Sequence, residues 1–146
     1  TGALFFIDRL YGGEDKKRQW LERILPQPLS ESAKLSTIYT KKANDYQEAG
    51  VVLINKAKRI KSMLSICLVN TLPLRDELHN YTHGDKESYW LGFEMAMEPY
   101  SMMTTPGGCI GTDREFEGDH REYEKVCGRP AHFDRLGRLM WFNDGV

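Results

Sequence analysis

The sequence predicts an α/β domain in which buried strands alternate with helices. Two short apolar runs, at residues 2–8 and 50–56, have the length and continuity of strands that are buried on both faces. A segment with helical spacing of its apolar residues follows each run. Because strand, helix, strand and helix succeed one another, we expect mostly parallel strands packed between helices, in a single domain over residues 1–146.

Apolar spacing and proline delimit the predicted helices. Residues 14–25 form the first, which Pro26 ends, and the polar residues 27–44 are interpreted as a loop. Residues 57–69 form an amphipathic helix, with Lys and Arg in solvent on one side. Its predicted buried face consists of Ile60, Met63, Leu64 and Cys67.

The last predicted helix covers residues 86–97 and ends before Pro99, with Asp85 placed as its N-cap. Beyond it, short strands are expected at residues 108–111, near Val126 and at residues 138–143.

Composition and motifs exclude several classes of protein. Twenty basic and 21 acidic residues give a net charge of −1 without a basic stripe, which argues against nucleic-acid binding. Neither a GxGxxG nor a GxxxxGK[ST] motif occurs, so a Rossmann dinucleotide site and a P-loop lose support. The three cysteines form no CxxC pair, which argues against zinc, and pairing of Cys109 with Cys127 stays open.

Three polar clusters remain as candidates for a site. In Gln47-Glu48-Ala49-Gly50, the glycine suits a surface loop that needs backbone freedom. The alternative interpretation is that Glu48 accepts hydrogen bonds from a polyhydroxyl ligand, for which a carboxylate is a strong acceptor.

The second cluster is "HGDKESYWLGFEMA" at residues 83–96, where an acid, a base and an acid precede an aromatic helix face that would ordinarily be core. In the third, "CGRPAHFDRLGRLMWFN" at residues 127–143, His132 and Asp134 would point the same way on an extended strand. A lone histidine is more often structural, although imidazole joined by carboxylates suits Mn²⁺.

Four segments in order, "TGALFFIDR", "QEAGVVLINK", "GDKESYWLG" and the third cluster, resemble the fungal α-1,3-mannosyltransferases, glycosyltransferase family 71. The resemblance implies a GT-A type nucleotide-sugar transferase fold with a mixed, mostly parallel sheet. It also implies transfer of mannose from GDP-mannose to a mannose on a glycoprotein glycan, in α-1,3 linkage with retention. The implied cofactor is Mn²⁺, and the implied setting is the Golgi membrane, lumenal side, through an N-terminal anchor.

The resemblance also implies roles for individual residues. By analogy with similar retaining transferases, Asp85 and Glu87 face the anomeric centre of the donor sugar, and His132 binds the cation. The residues implied to contact substrate are Glu48, Gly50, Lys86 and Trp90.

One departure from the family pattern concerns the metal motif. The family carries an Asp-x-Asp sequence shortly before the strand equivalent to residues 2–8, which is not in this sequence. We therefore expect a partial catalytic domain that is inactive by itself. Two alternatives stay open, an enzyme that uses UDP-sugars and a non-catalytic glycan-binding or assembly subunit of the same fold.

Overall fold

The structure, a computed structural model, describes residues 1–113 and 126–143, and within them eleven helices and strands. In chain order these are β1 (Ala3–Ile7), α1 (Asp15–Ile24), α2 (Glu31–Leu35), β2 (Gln47–Ile54), α3 (Ile60–Val69), α4 (Leu74–His79), α5 (Ser88–Met95), β3 (Ser101–Pro106), β4 (Gly108–Asp113), β5 (Val126–Phe133) and β6 (Leu139–Phe142). The predicted mixed α/β class is confirmed, whereas α2, α4 and β3 are absent from the sequence-based prediction.

The strands form two three-stranded sheets, in the orders β2-β1-β3 and β4-β5-β6. Both strand pairs of the second sheet are antiparallel. In the first sheet, β1 pairs with β3 in parallel but with β2 antiparallel, so the expectation of mostly parallel strands is wrong for the described strands. The reason lies in the long connection through α1 and α2, which returns the chain to the edge of the sheet where β1 ends. There the Asp8 N–H donates to the Tyr46 carbonyl at 2.9 Å.

Strand β1 is the buried centre of the fold, as its apolar run predicts. Successive side chains of a strand point to opposite faces, and here both faces are covered. Phe5 meets Phe93 of α5 edge to face at 5.3 Å, whereas Phe6 meets Trp141 of β6 at 5.3 Å. The first sheet therefore lies between the helices on one side and the second sheet on the other.

The helix at residues 14–25 is confirmed as α1, with Trp20 and Leu21 buried. The predicted loop at residues 27–44 contains α2, whose N-cap Ser30 accepts a hydrogen bond from the Ala33 N–H at 2.9 Å. The predicted cap of α5 is wrong, because that helix begins at Ser88 and Asp85 lies before its cap.

Helix α3 presents the opposite face to the one predicted. Ser62 and Val69 are buried, whereas Ile60 and Leu64 are exposed. Gly92 of α5 explains this rotation, because a Cβ atom there would lie only 2.5 Å from Ile66 Cγ1. Small side chains at the contact let the two helices approach closely and turn the larger apolar residues of α3 outward.

The second sheet separates the two cysteines considered for pairing. Cys109 lies opposite Pro130, and Cys127 lies opposite Thr112. The two cysteines are thus three residues apart along the ladder, about 10 Å at the rise of a strand. A disulfide requires Cα atoms within about 7 Å, so this register does not allow the pair. The Cys109 thiol is free.

Within the part of the chain that the structure describes, no helix is long and apolar enough to cross a membrane.

Candidate functional site

A buried ion cluster lies at the edge of the first sheet where β1 ends. Lys86 Nζ lies 2.7 Å from Asp8 Oδ2 and 2.9 Å from Asp45 Oδ2, and both carboxylates are buried. Asp8 follows β1, Asp45 precedes the segment that enters β2, and Lys86 precedes α5. We call these three residues the Asp8–Lys86–Asp45 cluster.

The antiparallel pairing of β1 with β2 creates this cluster, because it brings the end of one strand next to the start of the other. The parallel strand β3 ends at the same edge, where the Gly107 N–H donates to the Ile7 carbonyl at 2.9 Å. In α/β sheets, ligands bind outside the carboxyl ends of strands. The edge that holds the cluster is therefore the candidate site.

Two further side chains surround Asp45. The Tyr11 hydroxyl donates to Asp45 Oδ2 at 2.9 Å, and Lys17 Nζ lies 3.6 Å from Asp45 Oδ1. Two carboxylates thus meet two ammonium groups, which is the balance that buried charges require.

Burial and pairing act in opposite directions on the pKa values of the cluster. Burial lowers the pKa of Lys86, yet its hydrogen bonds and attraction to Asp8 and Asp45 are stronger in sum and raise it above its ordinary value. Burial raises the pKa of Asp45, but Lys86, Tyr11 and Lys17 outweigh it and hold that pKa below its ordinary value. The Asp45 hydrogen bond and burial raise the pKa of Tyr11. Lys86 and Asp45 are therefore both charged at neutral pH.

His132 lies beside the cluster in a stack of aromatic rings. Its ring is buried, stacks on Trp141 at 4.3 Å and meets the edge of Phe6 at 5.2 Å. Gly107 provides the space, because a Cβ atom there would lie 3.3 Å from His132 Cε1. Burial lowers the pKa of His132, and the negative charge of Asp8 opposes this shift in part. The imidazole is therefore neutral at neutral pH.

The predicted metal role of His132 finds little support in its surroundings. Among the described residues, no group of three or more His, Cys, Asp or Glu side chains is arranged to hold a metal ion. The neighbouring carboxylate of Asp8 is already engaged, since Oδ1 accepts from the Arg9 N–H at 2.6 Å and Oδ2 from Lys86. Among the described residues, His132 and Asp8 by themselves therefore do not make a complete site for Mn²⁺.

Glu87 is placed in the interior of the protein. Its Oε1 accepts hydrogen bonds from the N–H groups of Tyr46 at 2.8 Å and Gln47 at 3.2 Å, and its Oε2 accepts one from Trp90 Nε1. Burial raises the pKa of Glu87 to about 7, although the Trp90 and backbone bonds oppose that shift. The carboxylate joins the start of β2 to α5, and it has no exposed surface with which to reach a donor sugar.

Trp90 of α5, which the resemblance implies to contact substrate, is also buried. Trp90 has no exposed surface and meets the Tyr46 ring edge to face at 5.2 Å. The structure therefore encloses both Trp90 and Glu87 between β2 and α5.

Asp85 is exposed, next in sequence to the buried cluster. The Ser88 N–H donates to its carbonyl at 2.8 Å, and the Tyr89 hydroxyl lies 3.4 Å from its Oδ2. Of the two carboxylates that flank Lys86, Asp85 is thus the one that a ligand can reach.

Glu48 and Gly50 lie on β2, where its pairing with β1 is irregular. Glu48 is half-buried and its Oε1 accepts a hydrogen bond from the Gly50 N–H at 2.9 Å. Gly50 does not need the backbone freedom that the sequence suggested. It is required for space, because a Cβ atom there would lie 2.8 Å from Trp141 Cζ3.

Sequence reasoning missed Asp8, Asp45, Lys17 and Tyr11 as members of the site. A signal was present, since one acidic residue, Asp8, ends the first predicted strand and another, Asp45, stands five residues before the second. Only the antiparallel direction of β2, which the sequence pattern does not reveal, turns these positions into neighbours.

Comparisons with known proteins match the region that contains this site. The family model described as "Mannosyltransferase putative" matches residues 6–134, which include every residue of the cluster and His132.

Individual relatives carry related names. Alpha-1,3-mannosyltransferase MNT2 of Saccharomyces cerevisiae is 27 % identical over the whole of this chain and 30 % of its own length. "Putative alpha-1,3-mannosyltransferase MNN15" of Candida albicans is 32 % identical over 96 % of this chain and 18 % of its own length. Alpha-1,3-mannosyltransferase MNT3 of Saccharomyces cerevisiae is 33 % identical over 68 % of this chain and 16 % of its own length.

The chain thus spans less than a third of the length of these relatives. The match to the family model covers most of the chain and confirms the resemblance found in its motifs. The chain belongs to the α-1,3-mannosyltransferase family of hexosyltransferases.

Proposed function

We propose that this chain takes part in the transfer of mannose from GDP-mannose to a mannose of a glycoprotein glycan, in α-1,3 linkage and with retention of configuration. In this reaction the bond between C1 of mannose and the diphosphate breaks and GDP leaves, while a bond from C1 to the acceptor oxygen forms and the acceptor hydroxyl releases its proton to solvent. Family membership supports the sugar and the reaction class. A GT-A type fold is part of the proposal, supported by the mixed sheet with helices on one face.

The single observation that supports a location for this reaction is the Asp8–Lys86–Asp45 cluster. It holds fixed charges at the edge where β1 and β3 end, next to the segment of the chain that the family resemblance singles out. A cation that is held in place before the reaction can stabilise the negative charge that develops on a leaving diphosphate, and a fixed carboxylate can hold such a cation.

Arg9 is the cation of this edge that can meet a diphosphate. Its side chain is half exposed, and its guanidinium lies 4.0 Å from Asp8 Oδ1, a contact longer than a hydrogen bond. A guanidinium binds phosphate oxygens through two parallel hydrogen bonds. We assign the donor diphosphate to Arg9, with Lys86 orienting Asp8 beneath it.

The remaining roles follow from accessibility. Asp85 is the exposed carboxylate that would face the anomeric centre, and Glu48 would accept hydrogen bonds from donor hydroxyls after release of its bond to Gly50. Three features stay predictions of the family resemblance. They are dependence on Mn²⁺ through His132, an N-terminal membrane anchor and a place on the lumenal side of the Golgi membrane.

The test is mannose transfer from GDP-mannose to α-mannobiose by the complete polypeptide that the gene encodes, with and without Mn²⁺. We expect transfer by the unaltered protein, a loss of at least about tenfold in kcat/KM in Arg9→Met and Asp85→Asn, and no change in Glu14→Gln, an exposed acid outside the site. Arg9→Lys keeps the positive charge but cannot form two parallel hydrogen bonds to a phosphate. It should therefore restore only part of the kcat/KM that Arg9→Met loses.

Three outcomes would contradict parts of this proposal. Preference for a UDP-sugar in donor competition would overturn the donor. Full activity in Arg9→Met and Asp85→Asn would remove the site while leaving the family assignment. Binding of mannobiose without transfer from any sugar nucleotide would favour a glycan-binding subunit.

A further inference from the structure

The segment Asn80-Tyr81-Thr82 is an acceptor triplet for N-linked glycosylation. In such a triplet, asparagine is followed by any residue except proline and then by Ser or Thr. None of the other asparagines of the sequence has Ser or Thr two residues later. A triplet is short enough to occur by chance, so its meaning depends on where the fold places it.

Asn80 lies on the surface at the end of α4. It is the C-cap of that helix, and its N–H donates to the Glu77 carbonyl at 3.2 Å. The residue is exposed, and among residues 1–113 and 126–143 its side-chain amide has no hydrogen-bond partner. A sugar attached to this amide nitrogen would therefore break no hydrogen bond within the described part of the protein.

The two residues that follow Asn80 are anchored in the fold. The Tyr81 ring stacks on Trp20 of α1, with ring centres 4.9 Å apart and planes inclined by 7°. Thr82 is buried, and its hydroxyl lies 2.9 Å from the Gly84 carbonyl, to which it can donate. Asn80 is therefore the exposed member of a triplet whose other two members hold the turn in place.

We propose that the Asn80 side chain carries an N-linked oligosaccharide. The inference rests on the lumenal placement that the proposed function includes, because acceptor triplets are used in proteins of the secretory pathway. An oligosaccharide linked to asparagine is bulky and polar and needs a position on the surface. The end of α4 provides that position.

The attachment transfers the oligosaccharide from a donor whose first sugar is linked to a lipid through a diphosphate. The bond between C1 of that sugar and the diphosphate breaks, and the lipid diphosphate leaves with the bonding electrons. C1 forms a bond to Nδ2 of Asn80, and one amide proton is released to solvent. The triplet requires the hydroxyl of its third residue, and Thr82 is enclosed in the folded protein. Transfer therefore precedes closure of this turn, and folding leaves the oligosaccharide outside.

The test is mass spectrometry of the complete polypeptide that the gene encodes, recovered from the secretory pathway of a eukaryotic cell. A peptide N-glycosidase converts a glycosylated asparagine to aspartate, and in water enriched in heavy oxygen the new carboxylate carries the isotope label. Trypsin cuts after Arg75 and Lys86, so the released peptide contains Asn80 as its single asparagine. We expect the label on this peptide after glycosidase treatment and not before it.

Variants of the triplet separate the parts of the signal. Asn80→Gln and Thr82→Ala should each abolish the label, whereas Thr82→Ser should keep it, because serine also supplies the hydroxyl. In Thr82→Ala the asparagine is still present. Loss of the label there would show that the whole triplet directs the modification, and not the exposure of Asn80 alone.

The matched control for lumenal placement is Ala57→Thr. It completes a second acceptor triplet with Asn55 and Lys56, and all three positions are exposed just before α3. A label at Asn55 without one at Asn80 would overturn the inference and leave the lumenal placement standing. Absence of the label from both asparagines would overturn the inference and the lumenal placement together. A label at Asn80 that persists in Thr82→Ala would also contradict the inference, because the triplet would not be its cause.

Discussion

Lys86 Nζ lies 2.7 Å from Asp8 Oδ2, a contact between residues that are 78 positions apart in the sequence. Asp45 completes the arrangement at 2.9 Å. Each member holds the others in place, because a buried charge without its partner is strongly unfavourable. The cluster therefore links the stability of the fold to the geometry of the candidate site.

Removing the ammonium group of the cluster should cost much stability. We expect Lys86→Met to lower the free energy of unfolding by about 3–5 kcal/mol, since it leaves Asp8 and Asp45 buried without the ammonium group that they share. Urea denaturation measures the change. Adding Asp45→Asn to Lys86→Met should recover part of the loss, because one of the two repelling carboxylates is then neutral. Additive losses in the double variant would show that the two residues do not interact.

Glu87 should make the stability of the protein depend on pH. Its pKa is raised to about 7 in the folded protein, above the ordinary value of about 4.3 for an unfolded chain. The folded state therefore binds the proton more tightly, so its contribution to stability is complete below about pH 4 and is lost as the pH rises to about 7. The slope in this window is at most about 1.4 kcal/mol per pH unit.

Comparison with Glu87→Gln isolates this contribution from other titrating groups. The glutamine oxygen can still accept from the Tyr46 and Gln47 N–H groups, but its amide N–H would face the Trp90 N–H. We expect a loss of about 1–3 kcal/mol at pH 5 from the unpaired donors. The difference in unfolding free energy between the two proteins should narrow as the pH rises from 5 to 7. A constant difference over this range would mean that Glu87 does not titrate there.

The contact between α3 and α5 depends on Gly92. Replacing glycine by alanine in a helix ordinarily gains about 1 kcal/mol. Here we expect Gly92→Ala to destabilise the protein by about 1–3 kcal/mol, because the new Cβ would lie 2.8 Å from the Ile66 backbone nitrogen as well as 2.5 Å from its side chain. Thermal unfolding measures the effect.

Ile66→Ala supplies the control for this prediction. Ile66→Ala removes the overlap of the new Cβ atom with the Ile66 side chain but not its overlap with the Ile66 backbone nitrogen. The double variant Gly92→Ala with Ile66→Ala should therefore be less stable than Ile66→Ala alone. If the double variant were as stable as Ile66→Ala, the overlap at position 92 would come from the Ile66 side chain alone.

The charge of Asp8 should be detectable at His132. Burial lowers the pKa of His132, and the charge of Asp8 raises it in part, so Asp8→Asn should lower the pKa further. Titration of the histidine Cε1–H signals by NMR measures this value. Glu14→Gln, which removes an exposed acid before α1, should leave it unchanged. A pKa of His132 that rises in Asp8→Asn would contradict the proximity of the two residues.

Local patterns in the sequence determined several elements of this protein. The apolar run around Phe5 and Phe6 encodes a strand buried on both faces, and the spacing of apolar residues before Pro26 encodes α1. The four motifs, in their order along the chain, also indicated the family, which the match over residues 6–134 confirms. These features depend on residues that are close in sequence, where periodicity and proline act directly.

Tertiary structure alone decided the direction of β2, the face of α3 and the membership of the site. Two antiparallel strands present much the same apolar pattern as two parallel ones, so the neighbours Asp8 and Asp45 could not be recognised from spacing. The outward face of α3 follows from the narrow contact at Gly92, which depends on a residue 26 positions beyond Ile66. The burial of Glu87 and Trp90 follows from the packing of α5 against β2, because burial is a property of the assembled fold rather than of any one segment.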